Sequence, residues 1–173
     1  MAVLCIGLFI GGCGYHFSEV AESLSGIRKI YVDNFPNRTE DAYLENYFRN
    51  ALIDQFIRGN QFEVVGDVTE ADAVVRGTIL RVTSSHTAYD NADLAAEERA
   101  TLLVHIVFED RETGRTLWED RNFSGSEDYL VDSAMNSGEE SSDIEALGTK
   151  KKALIKLSSD MAERAYRLMI ADF

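Results

Sequence analysis

The chain has 173 residues, 45% of them apolar, and its 17 basic and 30 acidic side chains leave a formal net charge of −13. That length and apolar content suit one packed domain and exclude a disordered acidic tail, which lacks the aromatic and β-branched residues present here. The charge argues against a nucleic-acid surface, which needs clustered Lys and Arg, and one proline with two cysteines excludes collagen-like and disulfide-dense chains.

The first residues bear on compartment. Ala2 to Gly12 carry no charge, and Val3 to Ile10 form an apolar run. A bilayer-spanning helix takes about 20 residues, so this run is too short to span and has the form of the apolar part of an export signal. Gly11 and Gly12 then precede Cys13, a pattern that resembles the lipobox of bacterial lipoproteins. The resemblance implies residues 1–12 as a signal peptide, lipid on Cys13, residues 13–26 as a lipidated tether, and 27–173 as a single α/β domain. Gly14 follows the cysteine where an aspartate would resemble an inner-membrane retention signal, which leans toward the outer membrane. Several acyl chains together anchor a protein without a spanning segment. The expected state is therefore lipid-anchored, on the periplasmic side. With Cys5 removed and Cys13 lipidated, no internal disulfide can form.

Along the mature chain, Ile27 to Phe35 reads as a strand, with Ile30 and Val32 on one face. Pro36 biases Phe35 toward extended geometry and helps close it. Asn37 or Thr39 can cap a helix whose positive first turn would hold Glu40 and Asp41. That helix runs to about Arg58. Leu44, Tyr47, Phe48, Ala51, Leu52 and Phe56 mark its apolar stripe, and Gly59-Asn60 stops it. Gln61 to Val65 is a short strand. Ala73 to Thr83 is a longer one, with Arg76 and Arg81 on opposite faces by simple alternation. Gly77 marks a bulge or a close backbone approach. The polar stretch Ser84 to Glu98 reads as a long hairpin loop.

The clearest alternation follows. Ala100, Leu102, Val104, Ile106 and Phe108 share one face; Thr101, Leu103, His105, Val107 and Glu109 share the other. Leu103 and Val107 make the second face half apolar, which predicts a patch that meets something apolar. Asp110 to Gly114 is a hairpin turn with Gly114 at the position needing positive φ. Arg115 to Phe123 returns as a strand. Ser124 to Asp143, with six acids and no base, reads as a solvated linker. Asp143 to Ala171 is a long helix with the stripe Ile144, Leu147, Leu154, Leu157, Met161, Ala165 and Leu168, widened by Ile155, Ala162 and Met169. Gly148 is a place for a break, and Lys150 to Lys152 read as mostly solvated. The order β-α-β-β-β-β-α predicts an α+β two-layer sandwich: two amphipathic helices packed on one face of a mixed sheet of four or five strands.

No constellation carries chemistry. There is no Gly-rich phosphate loop and no His-Glu-x-x-His pair. His16, His86 and His105 are scattered, so no metal or cofactor is expected. Ser84, Ser85, His86 and Asp90 hold the residue types of a triad, crowded on one segment without an oriented base or oxyanion site. The expectation is a protein that binds rather than catalyses. Trp118, with Arg115 and Arg121 near it, has the residue types enriched where proteins dock, although a half-buried sheet tryptophan has the same appearance. Arg76, Arg81, Arg99 and Arg111 are the further basic candidates for partner contact.

Taken in sequence, Cys13-Gly14-Tyr15-His16-Phe17, then Ile30 through Asn34-Phe35-Pro36-Asn37-Arg38-Thr39, the Leu44–Phe56 helix, Phe62 to Val65, and Ala71-Asp72-Ala73-Val74-Val75-Arg76-Gly77-Thr78 resemble the LPS-assembly lipoprotein family, LptE. The resemblance implies a two-layer α/β fold and a non-enzymatic lipoprotein of the outer membrane. It further implies a role as plug and folding aid for a large β-barrel partner, LptD, and lipopolysaccharide as a contact. Two other readings of a small envelope lipoprotein stand beside it: an activator of a cell-wall synthase and a component of a secretion channel.

Overall fold

The computed structural model describes residues 26–89, 95–130 and 140–171. The elements run β1 (Lys29–Val32), α1 (Leu44–Gly59), β2 (Glu63–Val64), β3 (Ala73–Tyr89), β4 (Ala95–Asp110), β5 (Thr116–Leu130) and α2 (Glu140–Ala171), with a short 3-10 turn at Val68–Glu70. They form one five-stranded sheet in the order β2-β1-β3-β4-β5. Strand β1 is parallel to β2 and β3, and β3, β4 and β5 are joined antiparallel. This is the expected element order and the expected mixed sheet. The segments assigned to signal and tether lie outside the described residues.

Both helices lie on one side of the sheet and pack on each other. The alternating residues Ala100, Leu102, Val104, Ile106 and Phe108 of β4 are fully buried beneath them, beside Ile30 and Val32 of β1 and Val75 and Ile79 of β3. Helix α1 contributes Leu44, Phe48, Leu52 and Phe56, and α2 contributes Leu154, Leu157, Met161, Ala165 and Met169. Edge-on aromatic contacts at 5.2 Å join Phe35 to Phe48, and Phe56 to Tyr166. The α2 stripe is rotated from the expected one. Leu168 and Ile155 are 41% and 42% exposed, while Ala153, Ser158 and Tyr166 are buried. Ser158 donates its hydroxyl to the Leu154 carbonyl at 2.7 Å, which satisfies it inside an apolar seam. The helix runs through Gly148 unbroken; the side chains of Ile144 and Leu147 lie outside the described residues.

Helix α1 starts later than a cap at Asn37 or Thr39 requires. Its N-cap is Tyr43, in the left-handed region at φ 67°, with no side-chain cap. The reason is that the chain first runs on beside β3. Asp33 N–H donates to Val75 (2.9 Å), Ile79 N–H to Pro36 (2.9 Å) and Arg38 N–H to Ile79 (3.0 Å). Asn37 then fixes the turn. Its carbonyl accepts from the Thr39 amide at 3.0 Å and the Thr39 hydroxyl at 2.8 Å. Its amide donates to the Asp41 carbonyl and to Glu45, both at 2.9 Å. Glu45, not Glu40 or Asp41, is the acid in the first turn. At the other end Asn60 takes φ 51°, as a helix stop requires.

Two stretches expected to be loops are strands. Ser84 to Tyr89 continues β3, Ala95 to Glu98 opens β4, and Ser124 to Leu130 extends β5. Their polar alternation is held by cross-strand pairs. Arg99 grips Asp128 with two bonds, at 2.7 and 2.9 Å. His86 meets Glu98 at 3.3 Å, and the Tyr129 hydroxyl bonds Glu98, with Ser84 at 3.2 Å. Burial raises the Tyr129 hydroxyl pKa to about 12, so it remains a donor across the physiological range.

Asp72 ties the starts of β1 and β3 to the end of β4. Its carboxylate accepts from the Arg28 and Lys29 amides at 2.8 and 2.9 Å, and those bonds hold its pKa below the ordinary carboxylate value. Its own N–H donates to Lys29, and its carbonyl accepts from Arg111 N–H, each at 2.9 Å. A depressed folded-state pKa stabilises above the unfolded value and is lost as pH falls through the folded one. Asp72→Asn is therefore expected to cost about 1 kcal/mol at pH 7, solvent screening included. Urea midpoints of wild type and variant taken from neutral to acid pH should converge below the usual aspartate range. A constant difference would show that the charge is not what matters.

Candidate functional site

The sheet face opposite the helices carries no further element among the described residues, although Val74 of β3, across from Glu109, is fully buried on it. Its middle is β4, where Thr101, Leu103, His105, Val107 and Glu109 are all half-buried. Arg76 lies directly across from Val107 and Arg81 from Leu103, because the register slips between Ile79 and Arg81. A β-bulge adds one residue and reverses the alternation beyond it. It puts Arg76 and Arg81 on the same face, not on opposite faces as unbroken alternation predicts.

Most of the basic candidates on this face already have carboxylate partners. Arg76 bonds Glu109 and lies 3.4 Å from Asp33. Arg121 bonds Glu119 at 2.9 Å, and His105 Nε2 meets the same carboxylate at 2.9 Å. Hydrogen bonds from Arg121 and then His105 lower the Glu119 pKa. The Arg99 guanidinium likewise lowers that of Asp128. Exposed pairs of this kind contribute little to stability. Their effect here is to leave a polar face with its charges locally cancelled, around the half-apolar centre of Leu103 and Val107.

The other candidates fall elsewhere. Arg111 donates through Nε to the Ala71 carbonyl and so serves the strand ends. Arg115 stands at the β4–β5 turn, where its charge helps lower the Asp110 pKa, though less than the bond from the Thr113 amide. That turn has Gly114 at φ 69°, as expected. Trp118 pairs across from Phe108, on the helix side, and sits edge-on to Phe123 at 6.2 Å. It is a half-buried sheet tryptophan and not part of the open face.

Arg81 differs. No hydrogen bond or carboxylate partner reaches its guanidinium among the described residues. It lines a cleft of about 480 Å³ with Arg38, Glu40, Asp41, Val82 and Lys150. Lys150 is paired there with Asp41 at 2.7 Å, and Lys151 stands 6.0 Å above the Tyr47 ring. Lys150 is therefore half-buried in packed surroundings, while Lys151 and Lys152 are exposed, as the run suggests. Arg38 and Lys150 are the cleft residues that sequence reasoning misses. The visible signal for Arg38 is its place after Asn37, which turns the chain back beside β3.

No cluster of His, Cys, Asp or Glu suited to a metal ion occurs among the described residues. No described helix is long and apolar enough to cross a membrane. The fold defines a two-layer α/β domain with a charge-paired sheet face opposite its helices. The chain belongs to the LptE lipopolysaccharide-assembly family, whose model matches residues 27–169. It is accordingly a lipid-anchored lipoprotein of the outer membrane, facing the periplasm, with a non-enzymatic role.

No curated protein matches the sequence significantly. Two solved structures share the fold, the first two of the three similar structures that follow. A candidate lipoprotein from Caulobacter crescentus CB15 superposes with a TM-score of 0.55 at 12% identity, over 87% of this chain and 94% of that one. A hypothetical protein from Chlamydia trachomatis gives 0.52 at 9% identity, over 84% and 99%. Rare lipoprotein B from Shewanella oneidensis gives 0.49 at 14% identity, over 83% and 95%.

Proposed function

We propose that this protein is the plug of an outer-membrane β-barrel of the LptD type, that it helps the barrel assemble, and that the pair delivers lipopolysaccharide to the outer leaflet. Family membership supports the assembly role. The observation that carries the plug reading is the open sheet face. A barrel lumen is polar, and a plug must match it without bringing unpaired charge into a closed interface. The Arg76, Arg99 and Arg121 pairs cancel their charges within the face, and Leu103 and Val107 supply its contact centre. Cys13 is the proposed lipid attachment, after removal of residues 1–12. Of the basic candidates, Arg81 is the one left for a partner or a lipopolysaccharide phosphate.

Tagged protein recovered from outer membranes in mild detergent is expected to bring a large β-barrel with it in near-equal amount. Leu103→Lys combined with Val107→Lys should lose most of that barrel, because two further cations opposite Arg81 and Arg76 would be buried at the contact centre, where Glu109 and Glu119 are already engaged. The same variant should keep its unfolding temperature within a few degrees, since both side chains are already partly in water. Cys13→Ala should leave the membrane fraction. Enrichment of a cell-wall synthase, or of self-assembled rings, would replace the plug reading with one of its two rivals.

A further inference from the structure

The sheet has two long edges, and the structure treats them differently. On β5, a register slip falls opposite Val104 and Ile106, Arg164 bonds the Ser124 carbonyl, and Lys156 bonds Glu127 at 2.6 Å. With Glu119, Asp120 and Asp128 also on that strand, the edge is bent, charged and partly covered, as protected edges are. On β3, the companion chain stops at the Arg38–Ile79 bond. Among the described residues no backbone bond reaches β3 from that side beyond Ile79. Leu80 to Ser85 contains no acid, glycine or proline, and Thr83, Ser84 and Ser85 are exposed.

We infer that the free edge of β3, Leu80 to Ser85, takes up an extended, carboxylate-bearing segment of another polypeptide as a sixth strand. Strand addition to an open edge draws affinity from main-chain bonds and selectivity from flanking side chains. The flank here is cationic. Arg38 and Arg81 have no carboxylate partner among the described residues; in the cleft they line, Lys150 is paired with Asp41 and Glu40 also stands, so the excess is one positive charge, and that cleft opens onto the start of this edge. Those cations admit a strand with acidic residues and reject one with basic residues. They also reject a second copy of this chain, whose pairing along the same edge would set the two cationic flanks together. The inference rests on Arg81 being a docking residue. It does not require that the partner be a barrel, so it and the plug reading can fail separately.

The test uses the full chain in detergent and two peptides of about eight residues, each alternating Thr and Val, one with glutamates at its ends and the other with lysines there. The acidic peptide is expected to bind about tenfold more tightly at low salt. It should slow amide exchange within residues 81–85 and leave 116–130 unchanged. Arg81→Glu, an exposed substitution, should reverse the preference between the peptides. Equal binding, or protection of β5 instead, would overturn the inference. So would protection of 81–85 that rises with protein concentration alone, which would mean a second copy. Displacement of the acidic peptide by inorganic phosphate, with no amide protection, would make the cleft an anion site rather than a strand site.

Discussion

Gly77→Ala is expected to destabilise the fold by about 3 kcal/mol or more. An added Cβ would stand 2.3 Å from the His105 carbonyl oxygen and 2.4 Å from the Phe35 ring. Neither neighbour can yield cheaply. The carbonyl belongs to β4, so moving it means parting β4 from β3. Phe35 is 1% exposed and held edge-on against Phe48 at 5.2 Å. For a chain of this size the unfolding temperature should fall by roughly 6–12 °C. Gly66→Ala is the control, because nothing lies within 4 Å of its added Cβ, and it should unfold like wild type. If Gly77→Ala also unfolds like wild type, Phe35 does not lie over that glycine.

The second large effect is at Asn37, whose side chain makes four of the bonds that close the turn before α1, beside the bond from the Asp41 N–H to the Thr39 hydroxyl at 3.2 Å. Asn37→Ala should cost about 2–4 kcal/mol, from four hydrogen bonds removed and several half-buried partners left unpaired. Asn37→Asp separates the two halves of that role. It keeps the acceptor for Thr39 but turns an oxygen toward the Asp41 carbonyl and the Glu45 carboxylate, which now accept from the amide at 2.9 Å. At pH 7 it should therefore be about as damaging as alanine. An aspartate facing two acceptors has its folded-state pKa raised, so its penalty applies above that pKa and eases as pH falls and the carboxyl gains a proton. Asp72→Asn behaves in the opposite sense, converging with wild type because the wild type weakens. Urea midpoints across the acid range check both. An Asn37→Asp penalty that ignored pH would mean that Glu45 and the Asp41 carbonyl do not face the new carboxyl.

Much of the fold was legible because the β4 face from Ala100 to Phe108 and the stripes of both helices answer to burial on one side. Where burial stops, the signal stops with it. Ser84 to Tyr89 and Ser124 to Leu130 lack apolar alternation, and they read as loops. They are strands because Arg99 pairs with Asp128, and Tyr129 with Glu98, contacts between residues about thirty apart that no local pattern displays. The Leu80 bulge is likewise silent in the sequence, and it alone decides that Arg81 shares a face with Arg76.

The candidate surface was legible in part. Leu103 and Val107 announced a half-apolar outer face, and that face is present. Counting arginines could not show which were free. Arg76, Arg99 and Arg121 are engaged by acids from neighbouring or distant positions, Arg111 supports the strand ends, and Trp118 faces inward. Arg38 and Lys150 gained a place in the Arg81 cleft through the turn at Asn37 and the slant of α2, and both of those are tertiary facts.

The helix that completes the core also fixes when folding can finish. Helix α2 follows all five strands in the chain, yet Leu154, Leu157, Met161, Ala165 and Met169 are buried in the same cluster as β4 and α1. Until those residues arrive, α1 alone covers the apolar face of the sheet. A chain bound for the outer membrane must first cross the inner one. Its leading portion therefore waits in the periplasm as an unsealed sheet, with an apolar surface that a holding chaperone can recognise. A chain stopped before α2 is expected to leave that face exposed and the core incomplete, rather than slightly weakened.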